Sequence, residues 1–141
     1  MKHRWILILL VSLVVVGVAA CAQPTAPPAQ EKPQPPAAEK ITLGLSLSTL
    51  NNPFFVTLQE GAQKAADQLG VELVVVDSQD DSAKEATNLE DLIQRKVDAL
   101  LINPTDADAV VPSVQKANEA GIPVFTIDRS ASGGDVVSHI A

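Results

Sequence analysis

Short apolar runs alternate with stretches of helical periodicity from Ile41 to the last residue, and this alternation constrains the fold more than any other feature of the sequence. A bounded run of about four to eight apolar residues is typical of a buried strand, whereas apolar residues three and four positions apart form one face of a helix. Strands that alternate with helices predict a parallel sheet, because parallel neighbours need a crossover connection. The runs begin near residues 41, 71, 99 and 123, and a fifth short run covers residues 136–140.

The segments between the runs carry helix signals at their ends. Asn52 followed by Pro53 predicts a helix start, because Asn caps a helix and Pro fits its first position, and Gly70 predicts the end. Ser82–Glu85 fits a capping box that opens a second helix. A third helix is expected to hold Pro112 in its first turn. The units do not repeat one another in sequence, so we predict an α/β fold with a doubly wound parallel sheet rather than a solenoid.

The first 40 residues differ from the rest and predict export. Lys2 and Arg4 precede an apolar run too short to span a bilayer comfortably, which is typical of a signal peptide at residues 1–20. Small residues precede Cys21, the sole cysteine, in a pattern that resembles the lipobox of bacterial lipoproteins. This resemblance implies a lipid anchor on Cys21. The alternative is an ordinary leader with a coincidental cysteine.

The segment 21–40 is expected to be the lipidated cysteine followed by a proline-rich tether. Six prolines among Ala, Gln, Glu and Lys favour an extended, semi-rigid spacer and exclude a packed core. A proline-rich ligand for a recognition domain is the alternative. Residues 41–141 are then the folded part.

Charge and missing motifs exclude several classes of function. The formal net charge is −7, and Lys2 and Arg4 both lie in the leader, so nucleic acid is not an expected partner. The sequence has no glycine-rich phosphate-binding pattern after the first run, no nucleophile arrangement and no clustered metal ligands. His139 has no second histidine beyond the leader to share a metal. We therefore expect no enzyme, no cofactor and no metal site.

Polar and aromatic side chains follow the predicted strand ends. Ligands of doubly wound sheets bind outside the carboxyl ends of the strands, where the strand order reverses. Planar carboxylate, carboxamide and guanidinium groups engage neighbouring sugar hydroxyls, and aromatic rings cover the C–H face of a sugar. These residues predict a monosaccharide site. They are Ser48, Asn52, Phe54 and Phe55 after the first strand, Asn103 after the third, and Asp128 with Arg129 after the fourth.

Several candidates also fit a purely structural role. Asn52 fits a simple helix cap, and Phe55 lies on the apolar face of its predicted helix and fits the core. Asp128 and Arg129 fit a solvated strand end as well as a site. Phe54 lies off the apolar face, so it is the better candidate for stacking on a sugar.

Four segments carry a family resemblance: STLNNPFF at 48–55, LINPTD at 101–106, DR at 128–129 and VVSHIA at 136–141. In order and spacing they are similar to the periplasmic D-ribose-binding proteins. The resemblance implies the first lobe of a periplasmic binding protein-like I fold over residues 41–141. In that family the residues at the matching positions line the pocket, with Phe54 and Phe55 against the sugar ring, Asp128 accepting from a pair of hydroxyls and Arg129 donating.

The resemblance also implies a function. It points to an extracytoplasmic lipoprotein that binds a monosaccharide, most simply D-ribose, and delivers it to the permease of an ABC transporter. Delivery to a chemoreceptor or sensor, and a truncated product without function, are the alternatives. Relatives have two lobes, so this chain is expected to hold an incomplete first lobe without the second. A repressor is disfavoured because a leader occupies the place of a DNA-binding segment.

Overall fold

The computed structural model describes residues 40–141, and the structural statements below concern these residues. Strands and helices alternate along the chain up to β4, as the sequence predicts. The predicted signal peptide, the anchor on Cys21 and the tether up to residue 39 lie outside the described part. The elements in chain order are β1 (Thr42–Leu47), α1 (Pro53–Leu69), β2 (Glu72–Asp77), α2 (Ser82–Gln94), β3 (Ala99–Ile102), α3 (Val111–Glu119), β4 (Val124–Ile127) and β5 (Ser138–Ile140).

The five strands form one parallel sheet in the order β2-β1-β3-β4-β5. The chain first moves from β1 to β2 on one side and then crosses to β3 on the other side of β1. The point where the strand order reverses therefore lies between β1 and β3, and crevices at such points bind ligands in this class of fold. The predicted doubly wound α/β class is confirmed.

Each face of the sheet is covered by helices, with a separate apolar cluster under each layer. Leu92 of α2 packs with Leu100 of β3 in the larger cluster, whereas Phe55 of α1 packs with Leu45 and Leu47 in the smaller one. Gly44 lets α2 lie close to β1, because a Cβ atom there would come within 2.9 Å of the Leu100 side chain and 3.0 Å of Leu92. The central strands β1, β3 and β4 are thus covered on both sides, as their apolar sequences predict, whereas all three residues of the edge strand β5 are exposed.

The ends of α1 agree with the sequence analysis. Asn52 Oδ1 accepts a hydrogen bond of 3.0 Å from the amide of Phe54, Pro53 is the first helical residue, and Gly70 ends the helix in the left-handed region at φ 69°. Pro112 likewise falls in the first turn of α3. The first turn of a helix leaves backbone N–H groups unpaired. Asn52 accepts a hydrogen bond from one of them, whereas Pro53 and Pro112 have no N–H to leave unpaired.

The capping box predicted at Ser82–Glu85 is wrong. Asp81 is the N-cap of α2, and its Oδ1 accepts hydrogen bonds from Ala83 N at 2.8 Å and Lys84 N at 3.1 Å. Ser82 is the first helical residue, and the Glu85 side chain turns away from the helix end into the protein. Asp81 is as good a cap as Ser82, so the sequence alone does not separate the two positions.

Within residues 40–141, no helix combines the length and the apolar character that crossing a membrane requires.

Candidate ligand-binding site

Ser48 and Asn103 join the ends of β1 and β3 at the point where the strand order reverses. The hydroxyl of Ser48 donates a hydrogen bond of 2.6 Å to Asn103 Oδ1, and its amide donates one of 3.3 Å to the same oxygen. The backbone N–H of Asn103 donates a hydrogen bond of 2.8 Å to Ser46 O. Both side chains are fully buried, so these bonds form in a low-dielectric setting where they are strong.

The other end of the Asn103 side chain reaches β4. Its Nδ2 donates to Ile127 O at 3.0 Å and to Asp128 Oδ2 at 3.3 Å. One carboxamide therefore uses its oxygen and its nitrogen to hold three strand ends together. Asn103 stays a proposed site residue, and the geometry gives it a second task, which is to orient Ser48 and Asp128.

Asp128 begins the loop after β4 in a left-handed conformation, with φ 63°. Asp tolerates this region better than most residues, because its short polar side chain bonds locally. Its backbone amide donates to Ile140 O at 2.7 Å, which ties the turn to β5. The side chain is 40% exposed, and among the described residues no hydrogen bond reaches its Oδ1. This oxygen can accept from a ligand hydroxyl.

Arg129 lies beside Asp128 and is held from three directions. Its Nη1 donates to Pro104 O at 3.1 Å and to Thr105 O at 3.4 Å. Its Nε is 3.9 Å from Asp128 Oδ2, and its Cζ is 6.0 Å from the centroid of the Phe55 ring. A guanidinium carries five N–H donors in a fixed plane, so donors remain for a ligand after these contacts.

The two adjacent phenylalanines differ in exposure. Phe54 is 56% exposed, whereas Phe55 is 3% exposed and belongs to the core cluster with Leu45 and Leu47. Their rings meet edge to face, with centroids 5.2 Å apart and an interplanar angle of 77°. Phe54 is thus free to cover a ligand, and Phe55 supports Phe54 on one side and Arg129 on the other. Asn52 is exposed beside them, with its Oδ1 engaged as the helix cap.

Glu85 belongs to the same region, and the sequence analysis missed it. Its carboxylate accepts hydrogen bonds from Thr105 N at 3.1 Å and Thr105 Oγ1 at 2.7 Å. Burial raises the pKa of Glu85, while the hydrogen bonds from Thr105 and the positive charge of Arg129 oppose that rise. No sequence signal marks this role, because the spacing from Ser82 to Glu85 also fits a capping box.

Among the described residues, no three His, Cys, Asp or Glu side chains are grouped so as to hold a metal ion. The geometry instead brings together a carboxylate, a guanidinium and an exposed aromatic ring at the carboxyl edge of a doubly wound sheet. These features define the class of the protein as an α/β ligand-binding lobe.

Residues 43–141 match the profile of a family described as a periplasmic binding protein domain, and the chain belongs to this family. Its members bind solutes and are not enzymes, which confirms that expectation for the class. The family also accounts for the fold, since the parallel five-stranded sheet with its helices is that of a periplasmic binding protein-like I lobe.

Two relatives show which solute-binding proteins the chain is similar to. The chain is 61% identical over 105 residues to the ribose import binding protein of Salmonella typhimurium, which covers 74% of this chain and 36% of the relative. It is 48% identical over 142 residues to the ribose import binding protein of Bacillus subtilis, which covers 100% of this chain and 45% of the relative. The chain thus spans less than half the length of either relative.

A solved structure agrees with these relatives. The solute-binding protein of an ABC transporter from Mycobacterium smegmatis, determined with bound glycerol, superposes with a TM-score of 0.68 and 37% identity. The superposition covers 71% of this chain and 34% of that protein.

Proposed function

We propose that this chain is the first lobe of an extracytoplasmic solute-binding protein that binds D-ribose and delivers it to the permease of an ABC transporter. One observation carries the proposal: the exposed ring of Phe54, the carboxylate of Asp128 and the guanidinium of Arg129 lie along one edge of the sheet. The buried ring of Phe55 contacts Phe54 on one side and Arg129 on the other, and Arg129 lies beside Asp128, so the three groups are close neighbours. The names of the curated relatives support ribose as the sugar.

The surface suits a pentose for physical reasons. Asp128 Oδ1 accepts from one or two neighbouring hydroxyls, and the free N–H groups of Arg129 donate to hydroxyl oxygens. The Phe54 ring covers an apolar C–H face of the sugar. Asn52 offers its amide nitrogen, because its oxygen caps α1. Asn103, which is fully buried together with Ser48, holds Asp128 in position from below through its Nδ2.

Binding in this proposal involves no chemical step in the protein. The sugar is held by hydrogen bonds and apolar contact and is released unchanged to a membrane partner. The lipid anchor proposed on Cys21 and the proline-rich segment after it would keep the lobe near that partner. Export is supported by the charged and apolar order of residues 1–20.

A titration of the isotopically labelled full chain with D-ribose, followed by NMR, tests the proposal. We expect amide shifts confined to the carboxyl edge of the sheet, at residues 48–54, 103–105 and 128–129. The matched control sugar is 2-deoxy-D-ribose, which lacks one hydroxyl and should bind more weakly, because one fewer hydroxyl is available to hydrogen-bond with the charged groups of the site. Shifts that are absent, or that scatter over the surface, would count against a ribose site at this edge.

A further inference from the structure

Glu85 is the only charged side chain that is buried within residues 40–141, with 1% of its surface exposed. We propose that Glu85 is a positioning residue for Arg129 and that it acts through the peptide group between Pro104 and Thr105. The inference rests on the proposed function, in which Arg129 is one of the sugar-binding groups. Glu85 itself does not reach the sugar surface, because its hydrogen bonds go to the turn after β3.

Glu85 accepts hydrogen bonds from two groups of Thr105, the backbone N–H and the hydroxyl. Thr105 N donates to Glu85 Oε1 at 3.1 Å, and Thr105 Oγ1 donates to Oε2 at 2.7 Å. Because the Thr105 hydroxyl gives its hydrogen to the carboxylate, the Ser82 hydroxyl, 2.9 Å away, must be the donor to Thr105 Oγ1. The order of donors, Ser82 to Thr105 to Glu85, fixes the first turn of α2 against the turn after β3.

The same peptide group faces Arg129 on its other side. The carbonyl of Pro104 and the amide of Thr105 belong to one planar trans peptide, in which the C=O and the N–H point in opposite directions. Glu85 accepts from the N–H, and Arg129 Nη1 donates to the C=O at 3.1 Å. A rotation of this plane that satisfies one bond therefore satisfies the other, so Glu85 sets the direction of the acceptor that holds the guanidinium.

The charge of Glu85 strengthens this connection. A carboxylate that accepts from a peptide N–H polarises that peptide, and hydrogen bonds in series reinforce one another in a low-dielectric setting. The Pro104 oxygen then becomes a better acceptor for Arg129. A buried carboxylate is otherwise costly, since it loses its hydration. The positive charge of Arg129 also favours the ionised form of Glu85, so the two residues support each other across the peptide.

The rotation of the Arg129 guanidinium about its Nε–Cζ bond, measured by NMR in the full chain, tests the inference without any sugar. The signal is assigned with Arg129→Lys. In Glu85→Ala we expect rotation about tenfold faster, which corresponds to the loss of one hydrogen bond's net contribution. Glu85→Gln should retain most of the restraint, because its amide oxygen still accepts from Thr105 N.

Matched controls separate positioning from general destabilisation. Glu90→Ala makes the same truncation on the same helix and should leave the rotation unchanged, because among the described residues the Glu90 carboxylate bonds only to Lys116 and Gln94. Leu92→Ala weakens the core under α2 without touching the turn and should also leave it unchanged. If Glu85→Ala does not fold, Glu85→Met decides, because it removes the acceptor of the Thr105 N–H while filling the same buried space.

Rotation that stays at the wild-type rate in Glu85→Ala, or in Glu85→Met where the former does not fold, would overturn the inference. Equal acceleration in Leu92→Ala would overturn it too, because the effect would then follow stability alone. If the wild-type chain does not bind ribose in the titration, the result counts against the proposed function but does not affect the inferred coupling between Glu85 and Arg129. The two failures are therefore distinguishable.

Discussion

Ser48 Oγ lies 2.6 Å from Asn103 Oδ1, and this hydrogen bond joins two residues that are 55 positions apart in the chain. It links the carboxyl ends of the paired strands β1 and β3, at the point where the strand order reverses. The same carboxamide continues to Asp128. The hydrogen bonds that position Asp128 in the candidate site therefore also hold the ends of β1, β3 and β4 together.

Asn103→Ala is expected to lower the free energy of unfolding by about 2–3 kcal/mol, because it leaves the buried Ser48 hydroxyl and a strand-end carbonyl without their partner. Ser48→Ala removes one side of the same bond and should cost about 1–2 kcal/mol. Urea unfolding of the full chain measures both. The double variant should cost less than the sum of the single ones, because the two residues share a bond. If the losses of unfolding free energy in the two single variants added up to the loss in the double variant, the hydrogen bond between Ser48 and Asn103 would contribute nothing to stability.

Asp128→Ala is expected to weaken ribose binding by about 1.5–3 kcal/mol, the range for hydrogen bonds to a charged group. The left-handed backbone, with φ 63°, complicates this variant, because Ala adopts that region at a cost of roughly 1–2 kcal/mol. Asp128→Asn is the matched control, since Asn keeps the size of the side chain and tolerates the same φ. It should retain the fold and lose the charge-assisted part of the affinity.

A sugar titration and urea unfolding of both variants separate the two effects. Ribose affinity that is unchanged in Asp128→Asn and Asp128→Ala would remove Asp128 from the site.

The sequence was sufficient to predict the alternation of strands and helices, the parallel sheet and the cap at Asn52, because these depend on local patterns and on short-range sterics. It was insufficient for the side-chain partners at the sheet edge. Asn103 bonds to Ser48 and to Asp128, which are 55 and 25 residues away, and no local pattern encodes those distances. The roles of Phe54 and Phe55 also separate only once the helix is placed on the sheet.

Glu85 should make the stability of the chain depend on pH. Burial raises its folded pKa above the ordinary value of 4.5, so the folded chain binds this proton more tightly than the unfolded chain. The contribution to the free energy of unfolding is then fully present below pH 4.5 and is lost as the pH rises through the folded pKa. Because Glu85→Gln removes this dependence, its stability relative to wild type should rise from acid to neutral pH.

Glu90→Gln is the control for this prediction, with the opposite sign. The hydrogen bonds from Lys116 and Gln94 lower the pKa of the partly exposed Glu90, so its contribution is present above pH 4.5 and is lost as the pH falls through the folded pKa. Urea unfolding at several pH values measures both variants. A Glu85→Gln difference that stays flat across the range would contradict the raised pKa.

Phe54 and Phe55 are adjacent and chemically identical, so alanine variants of the two separate binding from folding. Phe54 is 56% exposed, and we expect Phe54→Ala to leave the unfolding free energy within about 0.5 kcal/mol of wild type while it weakens ribose binding. Phe55 is 3% exposed, and Phe55→Ala should cost about 3–5 kcal/mol of stability through the cavity it leaves beside Leu45 and Leu47. Urea unfolding and a ribose titration of each variant provide both readouts. If Phe54→Ala bound ribose as well as wild type does, the sugar would not stack on this ring, and the binding surface would have to lie elsewhere on the sheet edge.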